Sequence, residues 1–114
     1  DEESKRLTFS QAATGASGIE TLLSLSLELY HNGSLKLETI IKALTSNPAR
    51  ILKIDKGNLS IGNDADLCIV DIDKPWIVKK ESLISKSKNT SIENKKLQGK
   101  VVNTFVKGKE LFKL

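Results

Sequence analysis

Apolar positions are densest between Ile19 and Tyr30. Leu22, Leu25 and Leu29 fall on one helical face, and Leu23, Leu27 and Tyr30 fall on the next. A segment that is apolar around so much of its circumference predicts a substantially buried helix. Its leucines also alternate with serines, so Leu23 to Leu27 competes as a strand, and length favours the helix. Asn32-Gly33 supplies a C-terminal stop. Ser34 can cap a second helix over about residues 35–45. There Leu37, Ile40, Ile41 and Leu44 have the i, i+3, i+4, i+7 spacing of a one-sided amphipathic helix. Two antiparallel helices alone do not consume this much apolar surface. A sheet or a barrel is expected beneath them.

The stretch from Leu44 to Asp71 divides a helical half from a strand-rich half. The helix breaks at Ser46-Asn47-Pro48. Asn47 can cap a further helical turn with Pro48 first, because the missing proline N–H would be unpaired there anyway. Ala49 to Lys53 continue that turn. Gly57 and Gly62 then punctuate a run in which Asn58, Asn63, Asp64 and Asp66 are turn-type residues. Leu67-Cys68-Ile69-Val70 is an apolar run of strand length. Its lack of alternation predicts a strand covered on both faces, with Cys68 as a buried free thiol. Pro75 argues against a central strand in the segment that follows. Residues 82–96 are polar, with Asn89-Thr90 and Glu93-Asn94 as turn candidates. Leu97 to Val106 reads as a strand, and Lys107-Gly108-Lys109 closes a hairpin into Glu110-Leu111-Phe112.

Charge changes this picture little. The net charge is +4, from 18 basic and 14 acidic side chains. The excess is a diffuse lysine scatter after residue 73. Only Arg6 and Arg50 are arginines, whereas a nucleic-acid face more often shows arginines interleaved with aromatics, so the pattern is read as a solvated face. The single cysteine excludes an internal disulfide and fits a reducing compartment. No secretory signal and no membrane-length apolar run is present. The charged start, Asp1-Glu2-Glu3-Ser4-Lys5-Arg6, has the look of an interior loop.

Ser46-Asn47-Pro48-Ala49-Arg50, then Lys56-Gly57, Ile61-Gly62 and Asp64-Ala65-Asp66-Leu67, resembles the C-terminal part of the cyclic amidohydrolases. A second set of residues narrows the resemblance to the dihydroorotases. Ala12-Ala13-Thr14-Gly15-Ala16-Ser17-Gly18-Ile19-Glu20-Thr21 resembles their Ala-Pro-Phe-Gly, two residues, Gly-Leu-Glu-Thr segment. Ser85-Lys86-Ser87-Lys88-Asn89-Thr90 resembles their Ser-Lys-x-x-Asn-Thr-Pro-Phe segment. Leu97-Gln98-Gly99-Lys100-Val101 and Thr104 to Lys109 also match in order. Ala13 stands where the family often has Pro, Thr14 where it usually has Phe, and Ser91-Ile92 replaces Pro-Phe.

The resemblance implies an α/β fold. Residues 1–55 would be the last loop and two helices of a (β/α)8 amidohydrolase barrel, and residues 56–114 a β-rich tail from a small composite β-sandwich. It implies reversible closure of N-carbamoyl-L-aspartate to dihydroorotate, in pyrimidine synthesis and in the cytoplasm. There zinc activates a hydroxide and an aspartate moves the proton. Zinc sites of this kind lower the pKa of bound water to roughly 7. The implied zinc ligands, histidines with a carboxylated lysine or an aspartate, are not assembled here. His31 is the only histidine, at the end of a leucine-rich helix with nothing at ligand spacing. The family's Asp-His-Ala-Pro segment is absent and by register would end just before Asp1. No catalytic residue and no metal ligand is therefore expected in this chain.

What the resemblance assigns to this chain is a substrate loop. Backbone groups of the Phe-Gly pair touch substrate in the family, and Thr14 and Gly15 hold those positions. Glycine permits close backbone approach, and free N–H groups near a helix start favour an anion such as the substrate carboxylate. The bland alternative is a glycine-rich turn before a helix. Glu20 would oppose an anion unless it points away. Asp64-Ala65-Asp66 reads as a structural turn in preference to a metal site. Two other functions stay open: a non-catalytic dihydroorotase-like partner of aspartate carbamoyltransferase, and another cyclic amidohydrolase such as an allantoinase. Expected partners are the small-molecule substrate, the remainder of a dihydroorotase chain, and a second copy or aspartate carbamoyltransferase. Neither nucleic acid nor membrane is expected.

Overall fold

The computed structural model describes residues 3–114. The interior-loop reading of Asp1 and Glu2 lies outside the described residues. Helix α1 spans Leu22–His31, α2 Leu37–Leu44 and α3 Ser46–Leu52. Strands β1 (Leu67–Ile77), β2 (Lys96–Val106) and β3 (Lys109–Lys113) form one antiparallel sheet in that order. No helix among the described residues is long and apolar enough to cross a membrane.

The helices follow the expected periodicity more closely than the expected caps. Helix α1 begins at Leu22 and not at Ile19, because the N–H groups of Thr21 and Leu22 both turn back onto the Gly18 carbonyl. It stops as expected at Asn32-Gly33, where both N–H groups bond back into the last turn. Lys36, and not Ser34, holds the capping position of α2. The Leu35 N–H donates to Leu29 O at 2.9 Å, which ties residues 33–36 to the end of α1 and delays the next helix. The break before α3 falls at Thr45, so Asn47 lies inside the helix and not at its cap. Pro48 sits in the first turn, where no N–H is missed.

Strand β2 is central and β1 and β3 are edges. Pro75 is accommodated because β1 lies at an edge and its pairing is irregular between Asp71 and Pro75. Lys107 and Gly108, both with left-handed φ, form the two-residue turn from β2 into β3. Helix α1 lies across β2. Leu27 is wholly buried there, and Leu83, Val78 and Leu97 complete that core, with Ile40 and Ala49 buried among the helices.

The expectation for Leu67 to Val70 is corrected. Cys68 is exposed, and Ile69 is 49% exposed. This part of β1 pairs with residues 103–105 of β2, whereas α1 seats near Leu97 and Gly99. The apolar run therefore lies beyond the layer that would cover it. More broadly, the accessible surface is 8708 Å². A self-contained 12.5 kDa monomer exposes only about 6,200 Å². The radius of gyration is 16.6 Å, against about 13 Å for a compact chain of this length.

Candidate functional site

The two segments singled out by their resemblance, residues 12–21 and 85–90, lie against each other. Gly15 has φ +85°, a left-handed conformation that glycine adopts without penalty. Its carbonyl accepts two donors, Lys5 Nζ at 2.7 Å and Asn89 Nδ2 at 2.8 Å. Lys5 Nζ also donates to Ala13 O. The Ser17 N–H donates to Asn89 O at 2.7 Å, and Ser17 Oγ donates to Ser87 O at 2.8 Å. The carbonyls of Ala13 and Gly15 are therefore engaged. The N–H groups of Thr14, Gly15 and Ala16 have no hydrogen-bond partner among the described residues. Thr14 and Gly15 are both exposed.

Glu20 closes the other end of the contact. Its two carboxylate oxygens accept the N–H groups of Ile84 and Ser85, each at 3.0 Å. These bonds hold its carboxyl below the usual range, with Lys88 and Lys100 adding smaller favourable fields. Glu20 is thus turned onto the 83–85 backbone, and its charge is directed there. The helix-start contribution expected at Gly15 is not supplied by α1, which begins only at Leu22. What the loop offers instead is its own run of free amides.

Behind this contact a buried polar relay seats α1. The Trp76 Nε1–H donates to Ser24 Oγ at 3.1 Å, and Ser24 Oγ donates to Gly99 O at 2.6 Å. Lys100 Nζ lies 4.5 Å from the Trp76 ring centre, a cation–π contact. An open groove of about 520 Å³ beside it is lined by Ile19, Trp76, Ile84, Lys100 and Phe112 among others, and includes neither Thr14 nor Gly15.

The described residues do not fit a zinc site. No group of three or more His, Cys, Asp or Glu side chains is gathered among them. His31 Nε2 is 3.0 Å from Ile72 O, and its Nδ1 is 4.0 Å from Asp73. Asp64 and Asp66 both pair with Lys56, at 3.1 and 2.6 Å. Asp66 also accepts the Lys107 N–H at 2.8 Å. Asp66 thereby ties the end of the 57–66 loop to the β2–β3 turn, and Asp64 closes the loop onto Lys56.

Sequence reasoning missed the roles of Asn89, Ser17 and Lys5. Asn89 lies in the Ser85–Thr90 segment, but its partner is 74 residues away. A side-chain bond to a distant backbone carbonyl leaves no periodicity to read.

The model of the amidohydrolase family matches residues 7–111. A dihydroorotase of Ehrlichia chaffeensis is 43% identical over 99% of this chain and 25% of its own length. A dihydroorotase of Aquifex aeolicus is 43% identical over 90% of this chain and 24% of its own length. Among solved structures, the L-hydantoinase (dihydropyrimidinase) from Arthrobacter aurescens superposes with a TM-score of 0.85 at 32% identity, covering 91% of this chain and 24% of that one. A D-hydantoinase superposes at 0.86 with 21% identity, over 97% of this chain and 25% of that one, a likeness of fold. The chain spans about a quarter of the length of the curated relatives it matches.

Proposed function

The chain belongs to the amidohydrolase family, and from that premise we propose that it works as the C-terminal part of a zinc-dependent dihydroorotase. The observation that carries this reading is the match to dihydroorotases at 43% identity over nearly all its residues. The hydantoinase likeness is weaker in sequence, at 32%. In this reading residues 1–55 are the last loop and helices of a (β/α)8 barrel, and residues 56–114 enter a small β-sandwich. Zinc and the proton-moving aspartate belong to other parts of the protein, as the poor fit of His31 and the paired aspartates suggests. When bound, zinc supplies the activated water.

This chain's contribution is to bind and orient. The free N–H groups of residues 14–16 suit the carboxylate that both dihydroorotate and N-carbamoyl-L-aspartate carry. Lys5 lies behind the loop and adds positive charge there. Glu20 stays ionised, and its carboxylate is aimed at the Ile84 and Ser85 N–H groups, which offset its field, and not at the amides of residues 14–16.

The test is an assay of the complete protein with dihydroorotate, N-carbamoyl-L-aspartate, hydantoin and allantoin. Turnover of the first pair, lost on chelation and restored by zinc, is expected. The 114-residue chain alone should show none. Preference for hydantoin or allantoin, or turnover by the isolated chain, would sink the proposal.

A further inference from the structure

We propose that Asn89 is a positioning residue for the substrate loop, acting through the Gly15 peptide. This inference rests on the reading of Thr14 and Gly15 as substrate-facing and extends it to a residue in a different segment. A peptide group has two ends. If its carbonyl is fixed on one side, its plane is fixed, and the neighbouring N–H groups are aimed. Asn89 grips this loop twice. Its side-chain amide donates to Gly15 O, and its own carbonyl accepts the Ser17 N–H. The two bonds bracket residue 16, and because a trans peptide points its carbonyl and N–H in opposite directions, the bond to Gly15 O aims the Ala16 N–H away from Asn89.

Residue type matters at this position. The donor to Gly15 O must be neutral or positive and short, and the flanking peptide must stay free to accept Ser17. Asparagine meets both needs. Aspartate has the same size but only acceptors, so it would face the Gly15 carbonyl with like polarity. Lys5 is a second donor to that carbonyl, carried on a long flexible stem. It gathers Ala13 O and Gly15 O within the loop itself, whereas among the described residues Asn89 alone links the Gly15 carbonyl to the 85–90 segment. The orientation of the Gly15 peptide is therefore assigned to Asn89.

The experiment uses the complete zinc-loaded protein. Asn89→Ala should raise KM for dihydroorotate about tenfold with kcat changed less than about threefold, the signature of lost binding orientation. Zinc content and melting temperature should match wild type. Asn89→Asp should raise KM at least as much, and serves as the second variant if Asn89→Ala does not fold. Lys42→Ala, on the far exposed face of α2, is the control and should leave KM unchanged. If KM stays within twofold in both Asn89 variants, the proposal fails. It also fails if zinc content or melting temperature falls in step with activity, since the residue would then be structural. Wild-type protein inert toward dihydroorotate overturns the functional reading itself, a result distinct from either.

Discussion

At the scale of single residues, the charge state of Glu20 sets the strength of one tie between the two loops, beside those made by Ser17 and Asn89. Its carboxyl is held below the ordinary value by the Ile84 and Ser85 N–H groups. A depressed carboxyl contributes stability that is full above the unfolded value, about 4.3. That contribution is lost as pH falls through the lower folded value. Acid should therefore release the 83–85 backbone from Glu20. In NMR titrations of the protein, the Ile84 and Ser85 amides should shift together, with a midpoint below that of a free glutamate. Glu20→Gln should abolish this shared step. A midpoint at or above the free value would contradict the two bonds. The sequence showed Glu20 only as a possible obstacle to an anion. Its direction depends on a loop far along the chain, which no local pattern encodes.

At the scale of elements, the seating of α1 on β2 depends on close approach at Gly99. A Cβ there would lie 2.3 Å from Leu27 Cδ1, and φ is +95°. Leu27 is fully buried, so any shift of its side chain must be made within the core, and Ile72 O lies 3.3 Å from the same Cβ position. Gly99→Ala should cost about 2–4 kcal/mol, combining overpacking with left-handed strain. The midpoint of urea unfolding measures this, and a loss under about 0.5 kcal/mol, the size of an ordinary surface change, would refute the packing argument. Much of the element layout was legible. The leucine-rich helix, the amphipathic stripe of α2, the strand at Leu97 and the Lys107-Gly108 hairpin all follow from local period and turn chemistry. The caps at Ser34 and Asn47 were not, because the tie from Leu35 to Leu29 and the bend at Thr45 shift both starts. Coverage of Cys68 was misread for a related reason. An apolar run shows that a strand suits a covered environment, and does not show which element lies over it.

For the whole molecule, surface is the governing quantity. The chain exposes 8708 Å², well above the roughly 6,200 Å² of a self-contained protein of its mass. Phe9 and Ile61 are fully exposed, and Ile19, Leu59 and Ile84 nearly so. The 114-residue chain produced alone should therefore associate. Size-exclusion chromatography should place it above monomer mass, with strong binding of an apolar dye. A sharp monomer peak without dye binding would contradict this. The relay from Trp76 through Ser24 to Gly99 also gives the chain a built-in optical probe. Trp76 is the only tryptophan, and its indole N–H is bonded to the helix while its ring sits on the sheet. Its emission colour thus reports whether those two layers remain docked. Red-shifted fluorescence in the isolated chain would reveal undocking without any label or loss of secondary structure.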